Sequence, residues 1–342
     1  MNKQIVPETQ FSYVYELIEQ AKSDTWRQIN KNLVSLYWNI GEYILKQTIT
    51  DGWGKGTVQQ LSNYVLSRNH SAKGFSARNL WRMKQFHETY KDTLKLSAML
   101  AEISWSNHLH ILSKTKTIQE KEFYLNLATK TRYAERDFAR IIDSCTFERT
   151  MLADQKLSAT LTELSDMPKG IFKDSYIFDF LHLPEKHSEH DLKKALVSNL
   201  KEFLLEMGPD FSLIGEEFLV QVGMRDFRID LLLHNRKLNC LICLEVKITE
   251  FQPEYLGKLE FYLEALDKTI KQPHENPSIG ILICKTKDEE VVKYSLNRSM
   301  SPAMVAKYET NLISKDVLQK KLHELSEMID NESAVEIITN NE

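Results

Sequence analysis

Two apolar stretches that hold Asp230, Glu245 and Lys247 decide the fold of this chain: RIDLLL at residues 228–233 and LNCLICLEVK at residues 238–247. Apolar runs of this length are typical of buried strands, and the short turn at residues 234–237 predicts a hairpin between them. Side chains alternate faces along a strand, so Glu245 and Lys247 share a face, and the hairpin brings Asp230 beside them. An ionised carboxylate in such a strand is costly unless a metal ion or an opposite charge compensates it.

Two carboxylates and an ammonium group at one end of a sheet fit two kinds of site. In a divalent-metal phosphodiesterase the carboxylates bind Mg²⁺, which polarises the phosphate and lowers the pKa of a bound water, while a lysine positions that water. The same three residues also form an ordinary ion-pair network at a strand end. The spacing alone favours neither interpretation.

The order of Asp230 and Glu245-Val246-Lys247 resembles the D…(D/E)-x-K signature of the PD-(D/E)XK nuclease superfamily, and the surrounding sequence resembles the YhcG-like nucleases. The resemblance runs roughly from residue 11 to residue 309. It also includes FSLIGEE at 211–217, FQPEYLGK at 251–258, FYL at 261–263, NPSIGILIC at 276–284 and, upstream, KGFSARNL at 73–80, WSNH at 105–108 and KDSYIFDFL at 173–181.

The resemblance implies roles for these residues in a metal-dependent DNA endonuclease. Asp230 and Glu245 would bind Mg²⁺, with Mn²⁺ as a substitute, together with the main-chain carbonyl of Val246. Lys247 would align the attacking water. Gln252, directly after the strand, is a candidate for positioning water or phosphate, although it could equally begin an ordinary helix.

One position departs from the family pattern. The helix before the sheet tends to read E-x-x-L-E-x-A-L, whereas residues 189–196 read EHDLKKAL, so that Lys193 replaces the second glutamate. If that position normally supplies a metal ligand, Glu189 or Glu202 would have to substitute, or metal binding would be weaker. Both glutamates also fit ordinary solvated helix positions, and the sequence leaves the direction of Lys193 open.

The composition bounds the class of protein. A chain of 342 residues with 42% hydrophobic and 27% charged residues is long enough for two ordinary domains. No apolar stretch reaches the ~18 residues of a membrane span, and the N-terminus lacks the pattern of a signal peptide, so we expect a cytoplasmic protein without membrane contact. Three of the four cysteines lie in predicted apolar strands and are expected to be buried small hydrophobic residues.

The first half of the chain is predicted to be an all-helical DNA-binding domain, residues 1–150. Periodic apolar positions predict helices within 11–49, 58–66, 80–90, 96–111, 123–128 and 138–142, and the segments 57–68 and 76–86 resemble a helix-turn-helix with Ser76 as N-cap. Basic residues outnumber acidic ones by eight to two between residues 55 and 95, which suggests phosphate contacts. The candidate DNA-binding residues are Lys73, Arg78, Arg82, Gln85 and, from the second half, Lys258.

The fold class predicted for the whole chain is α+β. After a connector at 151–188, the nuclease domain at 189–330 has the order αβββαβ of a PD-(D/E)XK, restriction-endonuclease-like core. Its elements are predicted at 189–207, 212–222, 226–234, 238–246, 253–270 and 278–284, followed by a helix at 289–296, a strand at 303–308 and a helix at 315–329. Residues 331–342 are predicted to be a frayed tail.

The sequence thus predicts a Mg²⁺-dependent endonuclease that acts on DNA, with branched or foreign DNA implied by the resemblance only. Two alternatives stay open: a DNA-binding or regulatory protein whose nuclease core binds metal poorly, and an interaction subunit whose charges are structural. A homodimer and partner proteins of a DNA-processing or defence system are further expectations that the sequence does not decide.

Overall fold

The computed structural model describes residues 8–131, 133–153, 157–163, 171–184 and 186–324. The chain divides into two compact units, Met1–Ile142 and Asp143–Glu342. The tail predicted at 331–342 lies outside the described residues. In the part of the chain that is described, no helix is both long enough and apolar enough to span a membrane.

The described part of the first unit is helical, as predicted. Its helices are α1 (Glu8–Thr50), α2 (Lys55–Arg68), α3 (Ala77–Tyr90), α4 (Ser97–Leu100), α5 (Trp105–Lys114), α6 (Ile118–Thr131) and α7 (Glu135–Asp143). The single helix predicted within 96–111 is instead a 3₁₀ turn at Leu94–Leu96, then α4 and α5. Ser104 explains the break, because its side chain caps α5 by accepting a hydrogen bond from the Asn107 amide at 3.3 Å.

The core of the first unit forms where the second half of α1 crosses α3. Tyr37 and Ile44 of α1 pack with Leu80 and Met83 of α3. Gly41 allows this close crossing, since a Cβ atom at that position would lie 2.1 Å from the Met83 carbonyl oxygen. The apolar face predicted for α3 is therefore the buried one.

The second unit is built on one mixed sheet with strand order β1-β6-β5-β4-β3-β2. The strands are β1 (Ser175–Ile177), β2 (Phe211–Val222), β3 (Arg225–Asn235), β4 (Cys240–Glu250), β5 (Asn276–Thr286) and β6 (Ala303–Glu309). β2, β3 and β4 pair antiparallel, whereas β4, β5, β6 and β1 run parallel. The predicted hairpin is present, and the Asn235 side chain closes its turn by accepting from the amides of Lys237 and Leu238 at 3.1 and 2.9 Å.

Helices cover both faces of this sheet, which explains why β4 reads as a continuous apolar run. The even-numbered residues of β4, from Cys240 to Val246, pack in the same cluster as Leu192 of α10 (Glu189–Ser198). The odd-numbered residues Leu241 and Cys243 face α12 (Glu254–Thr269). The other helices of the unit are α8 (Thr146–Met151), α9 (Ala159–Glu163), α11 (Leu200–Met207) and α13 (Glu289–Leu296), and residues 315–324 are also helical.

The connector predicted at 151–188 is instead part of the second unit wherever it is described. Its β1 residues pair with β6, from Ser175 with Lys307 to Ile177 with Glu309. The amide of Ile177 also donates to the buried carboxylate of Glu206 at 3.0 Å, and Arg149 donates to the same oxygen at 2.8 Å. Parallel pairing with a strand more than a hundred residues away leaves no local signal, which is why the sequence did not predict this strand.

A second difference lies in the helix predicted at 189–207, which is two helices, α10 and α11. Asn199 separates them, with φ −114° and ψ 42° outside the helical region. Ser188 and Asp191 form a capping box at the start of α10. The break separates α10 from α11. α10 is the helix that supplies two residues to the charged site described next.

Candidate active site

Asp230 and Glu245 are buried carboxylates on neighbouring strands, with exposed fractions of 4% and 2%. Leu231 pairs with Leu244, so Asp230 and Glu245 lie opposite each other one residue further along the same antiparallel ladder. The Asp230 amide lies 3.4 Å from Oε1 of Glu245, and the Val246 amide donates to Oδ2 of Asp230 at 3.0 Å. The main chains of β3 and β4 thus hold both carboxylates side by side.

Two lysines approach Glu245 from different elements. Lys258 of α12 donates to Oε2 of Glu245 at 2.9 Å, and the ammonium nitrogen of Lys247 lies 3.8 Å from the same oxygen. Lys258 also stands over the ring of Tyr262, with its nitrogen 5.1 Å from the ring centre. The Lys247 ammonium is 5.8 Å from the ring centre of Tyr255. The two aromatic side chains therefore limit where these ammonium groups can move.

α10 contributes a glutamate and a lysine to the same place. Lys193 lies 2.5 Å from Oδ1 of Asp230 and 3.2 Å from Oε1 of Glu189. Glu189 in turn accepts a hydrogen bond from Lys247 at 2.9 Å. The ammonium of Lys193 therefore faces the carboxylates, which is the direction that the sequence left open. We call the connected residues the charged cluster: Glu189, Lys193, Asp230, Glu245, Lys247 and Lys258.

The charged cluster shifts the proton affinities of its members. Burial raises the pKa of Glu245, the neighbouring charge of Asp230 raises it further, and Lys258 and Lys247 only partly oppose them. For Glu189, burial also raises the pKa, but the hydrogen bonds and charges of Lys247 and Lys193 outweigh it and the net shift is downward. Of these two glutamates, Glu245 is thus the one for which burial and the charge of Asp230 outweigh the neighbouring lysines.

The two carboxylates fit a hard divalent cation in their chemistry. Both are oxygen ligands, and they are adjacent and held by main-chain hydrogen bonds. Lys193 contacts one oxygen of Asp230, and Lys258 contacts one oxygen of Glu245. Asp230 and Glu245 are the pair that would hold a cation there. Among the described residues, no group of three or more His, Cys, Asp or Glu side chains is arranged to hold a metal ion.

Glu217 is a residue near the cluster that sequence reasoning missed. It lies in β2 with a left-handed φ of 43°, between Glu216, which pairs with Leu231, and Phe218, which pairs with Ile229. Its carboxylate is 3.9 Å from the Lys193 ammonium. A non-glycine residue in this conformation within a strand is uncommon and tends to occur at functional sites. The sequence analysis included it only as the last residue of the family-like segment FSLIGEE at 211–217 and assigned it no role.

The other residues predicted for the site are not part of the charged cluster. Gln252 is exposed in the loop between β4 and α12, where its carbonyl accepts from the Tyr255 amide at 3.0 Å. Its side chain makes no hydrogen bond to the cluster within the described part of the chain. Glu202 lies on α11 and, within the described residues, likewise has no contact with the charged cluster. Glu189 is therefore the helical glutamate that joins the cluster.

The residues predicted to bind DNA lie on and before α3. Ser76 caps this helix by accepting from the Asn79 amide at 3.3 Å, as its sequence position predicts. Arg78 and Gln85 are exposed, Arg82 is half-buried and Lys73 is exposed in the loop between α2 and α3. The geometry leaves these groups accessible, and their contact with DNA stays a prediction.

Comparisons with known proteins describe both halves of the chain. Residues 169–323 match the model of the YhcG PDDEXK nuclease domain, and residues 13–149 match that of the DUF1016 N-terminal domain. "Putative nuclease YhcG" of Escherichia coli (strain K12) is 26% identical over 347 residues, with 90% of this chain and 92% of that protein covered. A crystal structure of a repair endonuclease from Pyrococcus abyssi aligns at 14% identity and a TM-score of 0.25, over 38% of this chain and about half, 49%, of the solved chain.

Proposed function

Because this chain combines a DUF1016 N-terminal domain with a YhcG PDDEXK nuclease domain, we propose that it is a Mg²⁺-dependent endonuclease that hydrolyses phosphodiester bonds of DNA. One observation carries the proposal. Asp230 and Glu245 are buried together on adjacent strands, with Lys247 two residues after Glu245 and within 3.8 Å of it. A chain that needed these charges only for stability would more simply place them at the surface, since burying carboxylates costs free energy.

The carboxylates and the lysines of the charged cluster have different tasks in this mechanism. Asp230 and Glu245 would hold the cation, Mg²⁺ or Mn²⁺, with the main-chain carbonyl of Val246 as a further candidate ligand. The cation, when bound, supplies a Lewis acid for the phosphate and a water of lowered pKa. Lys247 would position a water near the phosphate, and its hydrogen bond to Glu189 fixes the direction of its ammonium group. Lys258, whose side chain is 47% exposed, binds a phosphate oxygen from the solvent side.

A second function is favoured by Lys193. Its ammonium group lies on the carboxylate that would bind metal and therefore competes with a cation for Oδ1 of Asp230. If that contact persists when Mg²⁺ is present, the chain is a DNA-binding or regulatory protein on a nuclease fold. The two functions differ in whether the protein cuts DNA, and they share the prediction that it binds DNA.

The test is a cleavage assay on linear, nicked and four-way DNA with Mg²⁺, with Mn²⁺ or with a chelator. We expect metal-dependent cleavage by the wild-type chain, and a loss of at least a hundredfold in Asp230→Ala, Glu245→Ala and Lys247→Ala, because each removes a cation ligand or the water-positioning group. Glu250→Ala is the matched control, since Glu250 is an exposed carboxylate on the same strand. Its cleavage rate should equal that of the wild type.

Two results would contradict the nuclease. If the wild-type chain binds DNA but does not cut any of the substrates with either metal, the regulatory function stands instead. If the three alanine variants cut normally, the cleavage seen arises elsewhere. Thermal unfolding of each variant separates these cases from misfolding, and a large loss of stability in all three would show that the charged cluster is structural.

A further inference from the structure

Glu217 of β2 lies beside the charged cluster without taking part in its hydrogen bonds. The ladder pairs on either side of it place position 217 opposite Asp230, and Asp230 lies in turn opposite Glu245. One row across three neighbouring strands therefore carries three carboxylates. Asp230 and Glu245 are buried, whereas the side chain of Glu217 is 50% exposed, so Glu217 is the member of the row that faces the solvent.

The backbone of Glu217 has a conformation that a glutamate does not favour. Its φ of 43° is in the left-handed region, which glycine and asparagine adopt at lower cost than a residue with a longer side chain. Within the described part of the chain, the carboxylate has one partner, the Lys193 ammonium at 3.9 Å. The contact that this unfavourable backbone provides is therefore the one with Lys193.

Lys193 reaches three carboxylates, and one of them belongs to the metal site proposed above. Its nitrogen lies 2.5 Å from Asp230, 3.2 Å from Glu189 and 3.9 Å from Glu217. A divalent cation bound to Asp230 would repel an ammonium group at the same oxygen, because like charges at contact distance destabilise each other. Lys193 must then move to one of the other two carboxylates.

Glu189 is poorly placed to hold Lys193 by itself. The atom that Lys193 approaches, Oε1 of Glu189, already accepts a hydrogen bond from Lys247 at 2.9 Å. Two ammonium groups held by that one oxygen would repel each other. They would also disturb the direction of Lys247, whose ammonium group positions water in the proposed mechanism.

Glu217 is better placed to receive the displaced ammonium group. It holds no second cation within the described residues, and its exposure lets the ammonium regain water, so the charge is less costly there than beside buried Asp230. An ammonium–carboxylate hydrogen bond is about 2.8 Å long, so a displacement of roughly 1 Å completes the contact. The flexible side chain of a lysine can make that displacement without a movement of α10.

We propose that Glu217 is a positioning residue of the metal site, which accepts the ammonium group of Lys193 when a divalent cation replaces that ammonium at Asp230. In the metal-free protein, Lys193 neutralises the buried carboxylate. In the metal-bound protein, Glu217 holds Lys193 at a defined place on the solvent side. The inference rests on the Mg²⁺ site of the proposed function, but not on the cleavage of DNA, because a bound cation displaces Lys193 whether or not a phosphodiester is cut.

The test is a calorimetric titration of Mg²⁺ into four full-length proteins: the wild type, Glu217→Gln, Lys193→Gln and the double variant. Glu217→Gln should weaken Mg²⁺ binding about fivefold or more, because the displaced ammonium loses its acceptor and competes more strongly for Asp230. In the Lys193→Gln chain there is no ammonium group to receive. The same substitution at Glu217 should therefore change the affinity there by less than about twofold.

The matched control is Glu216→Gln, which removes the same charge from the adjacent exposed residue of β2 and should leave the Mg²⁺ affinity at the wild-type value. An unchanged affinity in Glu217→Gln overturns the proposal. A loss that is equally large with and without Lys193 also overturns it, since Glu217 would then act on the cation directly. Thermal unfolding of metal-free Glu217→Gln should match that of the wild type, and a large loss of stability would make Glu217 a structural residue instead.

The cleavage assay described above judges the nuclease separately. A wild-type chain that shows this pattern of Mg²⁺ affinities and cuts no DNA refutes the nuclease and supports the role of Glu217. A chain that cuts DNA while Lys193 and Glu217 act independently on Mg²⁺ affinity refutes only the role of Glu217. A wild-type chain that binds no Mg²⁺ refutes both.

Discussion

Lys193 places its ammonium 2.5 Å from Oδ1 of Asp230 and 3.2 Å from Glu189, so the position where the family pattern tends to have a glutamate carries the opposite charge. Burial lowers the pKa of Lys193, but the hydrogen bonds and charges of Asp230 and Glu189 raise it more, so the side chain stays charged. The charged cluster thereby contains three carboxylates and three ammonium groups. A divalent cation must compete with one of those ammonium groups before it can bind.

We therefore predict that Lys193→Glu tightens Mg²⁺ binding, on the order of tenfold or more, because it frees an oxygen of Asp230 and adds a ligand charge. Calorimetric titration of Mg²⁺ into the wild-type and Lys193→Glu chains measures the change in affinity. Lys194→Glu is the control, since Lys194 is exposed on the same helix and the same charge change there should leave the affinity unaltered. Equal affinities in all three proteins would make Lys193 a bystander.

His108 gives the first unit a dependence on pH. It is fully buried, which lowers its pKa to about 4, although the hydrogen bond between Nε2 and the Leu100 carbonyl at 2.8 Å acts in the opposite direction. In the unfolded chain His108 takes up a proton near the ordinary histidine pKa of 6.5, whereas in the folded chain it does so only near pH 4. The stability that neutral His108 contributes is therefore complete above pH 6.5 and is lost as the pH falls from there toward 4.

We predict that this loss amounts to roughly 3 kcal/mol of unfolding free energy across that window. His108→Gln keeps a donor near the Leu100 carbonyl and cannot take up a proton. Urea unfolding of both proteins at several pH values between 7 and 4.5 should show a steeper decline for the wild type. Parallel pH profiles would mean that His108 does not control the acid stability of this unit.

The sequence predicted some residues of the charged cluster and could not predict others. Asp230, Glu245 and Lys247 follow from strand alternation and one hairpin, which are local rules. The contacts of Lys193 and Lys258 depend on where two helices lie against the sheet, and no local pattern specifies that. Gln252 was named because it follows the strand closely in sequence, but the loop turns its side chain to solvent.

At the scale of single elements, α3 presents its buried face to α1 and its basic face outward, as the apolar spacing predicted. Lys84 is committed to an ion pair with Glu88 at 3.0 Å, whereas Arg78 is exposed near the N-terminus of the helix. A positive group at that end of a helix adds to the attraction of the helix dipole for phosphate. This arrangement supports the prediction that α3 contacts DNA.

We predict that Arg78→Ala combined with Arg82→Ala weakens DNA binding several-fold and lowers its salt dependence, because fewer counterions are released per complex. Fluorescence anisotropy with a labelled duplex at two or more salt concentrations gives both quantities. Lys31→Ala with Lys46→Ala on α1 removes the same charge from exposed positions of the same unit and should change the affinity much less. A loss equal to that control would indicate a general charge effect and no specific role of α3.

Elements were predicted well where one rule dominated. β5 and β6 are apolar runs between polar loops, and their predicted bounds differ from the observed ones by at most two residues. The helix at 189–207 was predicted as continuous because its apolar spacing continues across Asn199, whereas tertiary packing breaks it there. The short β1 was missed for another reason, since its three residues become a strand only by pairing with β6.

On the scale of the whole molecule, two kinds of folding unit share one chain. The first unit consists of helices, and most of those helices were predictable from apolar periodicity. In the second unit, β6 is the last strand along the chain but lies between β1 and β5, so the sheet is complete only when distant segments meet. The family resemblance supported the αβββαβ order of elements along the chain, whereas the place of β6 between β1 and β5 was not predicted, because it depends on the pairing of distant segments.

All four cysteines of the chain, Cys145, Cys240, Cys243 and Cys284, are buried and lie in the second unit. Burial raises the pKa of Cys240 and of Cys284 to about 12, so these thiols are also chemically unreactive at neutral pH. A thiol reagent added to the native protein consequently finds no exposed thiol until part of the second unit opens. The rate of alkylation then measures the transient opening of the second unit alone, and the native sequence carries that reporter without any engineered label.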